Sequence, residues 1–124
     1  MPASRPKHLN LMQIRMPLPA FVSILHRVSG AMLFLVLPAL LGLLSVSLES
    51  QQSFTLFQQF IGHPLTKIML LGVLWAYLHH FCAGIRHLAM DLDLGLELET
   101  ARASSYAVLV VSIAATLLIG VTLW

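Results

Sequence analysis

Charged side chains are scarce in this sequence: only 10% of its 124 residues are Asp, Glu, Lys or Arg, whereas 58% are hydrophobic. A water-soluble domain of this length needs far more charge to cover its surface. A basic patch on a folded soluble face, which nucleic-acid binding requires, is also missing. The composition therefore indicates a protein whose surface lies mainly in the lipid of a membrane, with no nucleic acid as a partner.

Cysteine is nearly absent as well, because Cys82 is the only one. The chain therefore forms no internal disulfide and holds no cysteine-ligated iron–sulfur cluster by itself. The N-terminal segment also lacks the apolar core and the small-residue cleavage site of a secretory signal peptide. We therefore expect the first apolar run to serve as an uncleaved insertion signal.

Uncharged runs at 28–48, 68–85 and 103–124 dominate what the sequence does contain. Each is close to the roughly 20 residues that a helix needs to cross the hydrocarbon core of a bilayer. Together with their flanks they predict transmembrane helices at about 22–48, 64–88 and 103–124. The predicted fold is an all-α membrane protein with three transmembrane helices, in a single domain without room for an extramembrane part.

The connections between these runs differ in character. Residues 50–63 place three phenylalanines and Ile61 at helical spacing among glutamines, which predicts a short helix lying in the membrane interface. Residues 91–101 carry four carboxylates and predict a solvated loop.

Basic residues are distributed unevenly about the three spans, which predicts the orientation of the chain. The N-terminal segment 1–19, the start of the first span and the second connection share one side of the membrane. That side holds six of the seven basic residues: Arg5, Lys7, Arg15, Arg27, Arg86 and Arg102. Because cytoplasmic segments are enriched in Lys and Arg, we expect this side to be cytoplasmic, or the matrix in a mitochondrion, with the C-terminus opposite.

A polar stripe marks the beginning of the first span. In a helix, Ser23, His26, Arg27 and Gly30 fall at i, i+3, i+4 and i+7 and share one face. One interpretation is that Arg27 only extends to the lipid headgroups while Ser23 bonds its own backbone. The other is a functional site, because polar groups at membrane depth are costly unless they are used or paired.

Histidines mark the end of the second span. His80 lies six residues before Arg86, roughly 9 Å deeper at 1.5 Å per residue. His80, Gly84 and His87 share one face of the predicted helix, while His79 points about 100° away.

A lone buried histidine is usually a hydrogen-bonded core residue, but His80 has an unusual neighbourhood. Gly84, one turn away, leaves space beside the imidazole for a flat macrocycle, and neutral imidazole is a standard axial ligand for haem b. The predicted topology also places His80 and the polar stripe at the same end of the helix bundle. The predicted proximity of His80 to the polar stripe favours a functional site over two separate groups that only anchor their helices at the headgroups.

Two segments carry a family resemblance. Residues 5–30, RPKHLNLMQIRMPLPAFVSILHRVSG, contain R-P and end in S-x-x-H-R-x-S, and residues 80–91, HFCAGIRHLAMD, read H-x3-G-x-R-H-x2-M-D. Both resemble the signatures of the succinate dehydrogenase cytochrome b556 subunit, the larger membrane anchor of respiratory complex II. The three-span layout extends the resemblance over nearly the whole chain.

The resemblance implies a haem b shared with a second, smaller anchor subunit, with His80 as the axial iron ligand on this chain. It implies that Ser23 and Arg27 contact ubiquinone, that His26 and Arg27 lie near the haem propionates, and that Gly84 and His87 belong to the haem surroundings. The implied partners are this second anchor, an iron–sulfur subunit and a flavoprotein, so the chain would belong to a hetero-oligomeric helix bundle. Succinate oxidation would then occur on the flavoprotein, and this chain would be a non-catalytic subunit.

Two other functions remain open at this stage. A fumarate reductase anchor would share the layout while electrons flow in the reverse direction, although the signatures favour the dehydrogenase. In a haem-free structural or transport subunit, the predicted proximity of His80 and Arg27 would have no function. For any of these, the expected location is a bacterial inner membrane rather than a mitochondrial one.

Overall fold

Four helices follow one another along the chain in the computed structural model, which describes residues 14–124. They are α1 (Leu18–Glu49), α2 (Gln51–Gly62), α3 (Pro64–Asp91) and α4 (Leu98–Leu123). The described residues contain no strand, and α1, α3 and α4 are each long and apolar enough to cross a membrane. The predicted all-α fold with three transmembrane helices is therefore confirmed. Most of the predicted cytoplasmic segment 1–19, with Arg5 and Lys7, lies outside the described residues.

Prolines shape α1 without breaking it. The helix begins at Leu18 with Pro17 as its N-cap, and Pro19 occupies the first turn. Proline is tolerated in a first turn because the backbone N–H groups there have no partner inside the helix. Farther along, α1 stays continuous through Pro38. The residues of the polar stripe therefore all lie on one regular helix.

The end of α3 is a well-defined turn. The N–H of Leu94 donates to the carbonyl of Ala89, and the N–H of Asp93 donates to that of Met90, each at 3.0 Å. Asp93 has a φ of 59°, at a position where helices usually carry glycine. Because α4 begins at Leu98, the connection spans only residues 92–97 and is shorter than the loop predicted at 91–101.

Helix α3 lies at the centre of the bundle. Both α1 and α4 pack along it, and α1 also contacts α4. Val22 of α1, Ala83 of α3 and Val108 of α4 form the core where the three helices meet. The buried face of α4 consists mostly of small residues, which let membrane helices approach closely: Ala101, Ser105, Val108, Ser112, Thr116 and Gly120.

Most apolar side chains point outward. Within the described residues only five are buried, namely Val22, Ala76, Ala83, Ala101 and Val108. Large side chains such as Phe34, Leu35 and Val121 are at least 74% exposed. Such a surface is stable only where lipid tails or other membrane helices cover it.

Candidate functional site

The start of α1 and the second half of α3 bring three imidazoles together. The ring of His26 lies on the ring of His80, with centroids 4.2 Å apart and planes within 12° of each other. The same His26 ring contacts His87, with centroids 4.9 Å apart and planes tilted by 47°. The polar stripe and the α3 histidines, which are more than fifty residues apart in sequence, therefore meet at one end of the bundle.

The ring of His80 is held by polar groups of α1. Its Nδ1 lies 3.0 Å from the carbonyl oxygen of His26 and 3.3 Å from Oγ of Ser29. The Ser29 hydroxyl itself donates to the same carbonyl at 2.9 Å. A carbonyl oxygen only accepts hydrogen bonds, so Nδ1 of His80 must carry the ring proton. In the neutral ring Nε2 is then unprotonated, and its lone pair is available to a metal.

This arrangement fits a metal that needs a single ligand from the chain. The rings of His26 and His80 stack face to face, so their nitrogens do not converge on one point. Among residues 14–124, no group of three or more His, Cys, Asp or Glu side chains is arranged to hold a metal ion. A haem iron is already held by its macrocycle and takes only axial ligands from protein. The donor set of this chain is therefore compatible with haem through Nε2 of His80.

Two glycines line the meeting point of α1 and α3. A Cβ atom built on Gly30 would lie 2.8 Å from Cε1 of His80, so the close approach of this ring to α1 depends on the glycine. A Cβ atom built on Gly84 would lie 3.6 Å from Nε2 of His26. The glycine that adjoins the His80 ring is therefore Gly30, whereas Gly84 adjoins His26. The expected place of Gly84 and His87 beside a haem stays a prediction.

Ser23 and Arg27 lie on the same stretch of α1 as His26. Ser23 is half-buried and Arg27 is exposed, so both side chains are open to a ligand or to a partner subunit. Along α1 they lie three residues before and one residue after His26. A molecule that binds the two together would lie close to the imidazoles.

His79 occupies a different environment from its neighbour His80. It is fully buried, and its ring stacks on Trp75 with centroids 5.3 Å apart. Neither ring nitrogen of His79 forms a hydrogen bond within the described part of the chain. The interior position of His79 gives it no access to a cofactor that docks from outside the three helices.

The roles of two residues, Ser29 in the site and Arg86 farther along α3, were not predicted from the sequence. Ser29 was outside the predicted polar stripe, although a small residue directly before Gly30 is a signal for close approach by another helix. Arg86 was expected to mark the end of the second span, but it is only 7% exposed. Its Nε donates to Oγ of Ser104 at 2.9 Å and its Nη2 to the carbonyl of Ala101 at 3.5 Å, so the guanidinium joins α3 to α4.

Comparison with known proteins finds relatives that match nearly the whole chain. The sequence model of the succinate dehydrogenase/fumarate reductase transmembrane subunit family matches residues 1–119. The chain is 42% identical to a succinate dehydrogenase cytochrome b556 subunit of Coxiella burnetii over 125 residues, which cover 100% of both proteins. It is 34% identical to the protein of that name in Paracoccus denitrificans over 110 residues, 89% of this chain and 85% of the relative. A Rickettsia felis relative with the same name is 32% identical over 117 residues, 94% of this chain and 91% of its own.

Bacterial relatives together with three membrane-spanning helices confirm the expected location, a multi-pass position in a bacterial inner membrane. The family resemblance of the two signature segments is confirmed too. The chain belongs to the succinate dehydrogenase/fumarate reductase transmembrane subunit family.

Proposed function

We propose that this chain is the cytochrome b membrane anchor of a bacterial succinate dehydrogenase and that His80 is one axial ligand of its haem b. The observation that carries the proposal is the contact of 3.0 Å between Nδ1 of His80 and the His26 carbonyl, which leaves Nε2 free for iron. A six-coordinate haem needs a second ligand, and His87 lies on the same helix as His80. The ring of His26 is stacked on that of His80, so it does not face His80 across a cofactor. The family resemblance implies that the second ligand comes from the smaller anchor subunit.

Ser23 and Arg27 are proposed to form part of the ubiquinone site. A serine hydroxyl donates a hydrogen bond to a quinone carbonyl, and a fixed positive charge stabilises the negative charge that develops during reduction. An arginine does not lose its proton in proteins, so Arg27 acts by charge and protons arrive through water or other groups. His26 and Arg27 also suit the haem propionates, because both side chains can donate hydrogen bonds to carboxylates.

The remaining steps of the reaction belong to partner subunits. A flavoprotein oxidises succinate, and an iron–sulfur subunit passes the electrons to the quinone. The predicted orientation, with the N-terminus in the cytoplasm, places the polar stripe on the side where these two subunits dock. The present chain anchors them in the lipid membrane, shares the haem and contributes to the quinone pocket.

The dehydrogenase is favoured over a fumarate reductase because the three relatives compared above all carry the name succinate dehydrogenase cytochrome b556 subunit. A haem-free structural subunit is the other alternative. It predicts a purified complex without haem absorbance, so a reduced-minus-oxidised optical spectrum separates it from the proposed function.

Substitution of His80 in the purified complex tests the ligand assignment. We expect His80→Leu to lose haem or the low-spin spectrum, because no lone pair remains at that position. His79→Leu is the matched control, because it alters the neighbouring imidazole, which is fully buried and stacked on Trp75. This variant should retain the haem. A His80→Leu complex with unchanged haem content and spectrum would show that the assignment is wrong.

A further inference from the structure

We propose that Ser29 and Gly30 of α1 are a positioning element that fixes the ring of His80 and presents Nε2 as its metal-binding nitrogen. This inference rests on the proposed haem ligation by His80 and assigns a role to two residues that do not themselves contact the iron. It consists of a steric part, at Gly30, and a polar part, at Ser29 and the backbone carbonyl of His26.

The steric part is the absence of a side chain at Gly30. A Cβ atom there would lie 2.8 Å from Cε1 and 3.2 Å from Nδ1 of His80, and real Cβ atoms essentially never approach another atom closer than 3.0 Å. The His26 ring already covers one face of the His80 ring, at a centroid distance of 4.2 Å, so a shift of the His80 ring also disturbs this contact. Any larger residue at position 30 therefore displaces the imidazole from its place against α1.

The polar part determines which nitrogen carries the proton. The hydroxyl of Ser29 donates to the His26 carbonyl at 2.9 Å, and its oxygen lies 3.3 Å from Nδ1 of His80. One arrangement satisfies all three groups: the Nδ1 proton points between the carbonyl oxygen and the serine oxygen, while the serine proton points to the carbonyl. Both oxygens thus accept from Nδ1, which fixes the tautomer and the orientation of the ring.

The same helix offers matched controls for both parts. A Cβ atom built on Gly42 meets nothing within 4 Å, so Gly42→Ala adds the same methyl group without a clash. The hydroxyl of Ser47 donates to the carbonyl of Leu44 at 2.7 Å, the same local bond that Ser29 makes, but in an exposed position. Any general effect of alanine on α1 therefore appears in the controls as well.

The steric part is tested with Gly30→Ala and Gly42→Ala in the purified complex. The readouts are haem content, the EPR spectrum of the oxidised low-spin haem, which responds to the orientation of its axial rings, and carbon monoxide binding by the reduced haem. We expect Gly30→Ala to shift the low-spin signal and to raise the fraction of haem that binds carbon monoxide several-fold. Gly42→Ala should match the unaltered complex in all three.

The polar part is tested with Ser29→Ala and Ser47→Ala, and this pair decides the question if Gly30→Ala prevents assembly. We expect Ser29→Ala to shift or broaden the low-spin EPR signal, because the ring loses one of its two oxygen partners. Ser29→Thr keeps the hydroxyl and should restore the original signal, while Ser47→Ala should leave it unchanged.

The outcomes separate this inference from the function on which it rests. If Ser29→Ala gives the same spectrum as Ser47→Ala while His80→Leu loses the low-spin haem, the positioning role is overturned and the ligand assignment stands. If His80→Leu itself keeps the original spectrum, the proposed ligand is wrong and the positioning role is overturned with it.

Discussion

The imidazole of His26 lies over that of His80, with ring centroids 4.2 Å apart and an interplanar angle of 12°. One ring comes from α1 and the other from α3, so the pair joins the two helices that carry the proposed quinone and haem residues. Contact between the faces of two rings restricts the motion of both. The stack therefore helps hold His80 in the orientation that its backbone partner defines.

Replacing His26 tests how much of this support comes from the ring face. We expect His26→Ala to weaken haem retention, measured as the rate of haem loss when the purified complex is heated. His26→Phe keeps an aromatic face over His80 and should lose haem more slowly than His26→Ala. Equal rates in the two variants would mean that the nitrogens of His26, rather than its ring face, support the haem.

Arg86 and Ser104 should be energetically coupled. Ser104→Ala leaves Nε of a guanidinium that is only 7% exposed without its partner, a loss of about 1–3 kcal/mol. We expect a lower unfolding temperature of the purified complex. In an Arg86→Met background, which keeps an apolar stem but removes the charge, the same serine substitution should have little effect.

Ser105→Ala is the control for this cycle. The Ser105 hydroxyl donates to the carbonyl of Ala101 at 2.7 Å, and the residue is fully buried beside Ser104. Ser105→Ala removes a donor to the Ala101 carbonyl, as Ser104→Ala also does, but it leaves Nε of Arg86 with its partner. If Ser104→Ala and Ser105→Ala lower the unfolding temperature equally in both backgrounds, Arg86 does not depend on Ser104.

The three spans were predictable because lipid imposes a simple requirement, roughly 20 uncharged residues in a helix. The position of the Arg86 side chain was not predictable, because a charged side chain at the end of a span either extends to the headgroups or turns into the bundle. That choice depends on Ser104, which lies eighteen residues later in sequence and comes into range only when α4 packs on α3. Helix ends were also harder to predict, since α4 begins inside the acidic segment that was expected to form a loop.

In the candidate site, too, some features were predictable from the sequence and others depend on how the helices pack. The spacing of Ser23, His26 and Arg27 placed them on one face, because helical periodicity is a local property. The contact between the His26 carbonyl and His80 spans 54 residues and involves backbone, so side-chain patterns contain no signal for it. Gly30 was recognised as part of the stripe, but only the packing of α3 shows which ring its missing side chain accommodates.

The predicted orientation can be measured with reporter fusions. With six of seven basic residues on one side, we expect a fusion within the connection 92–97 to report the cytoplasm and a fusion after Trp124 to report the opposite side. A fusion within α2 should agree with the one after Trp124, because a single span separates each from the connection 92–97. A cytoplasmic C-terminus would contradict the orientation and would move the polar stripe away from the side where protons and the iron–sulfur subunit are expected.

Ser23→Ala and Arg27→Leu should separate the two half-reactions of the complex. We expect quinone reduction to fall by about tenfold or more, because a lost hydrogen bond to developing charge is typically equivalent to a few kcal/mol. Succinate oxidation with an artificial acceptor that takes electrons at the flavoprotein should stay nearly unchanged. Arg27→Lys keeps the charge but loses the planar fork, so it should retain part of the activity.

Arg102→Leu is the matched control for the arginine, because Arg102 is also exposed and lies in the first turns of α4, at the same end of the bundle. It should leave both activities intact, since Arg102 lies on α4, whereas the histidine cluster lies on α1 and α3. If the Ser23 and Arg27 variants lose both activities together, these residues serve assembly. If they lose neither, Arg27 only anchors α1 at the headgroups, and the quinone must bind elsewhere in the complex.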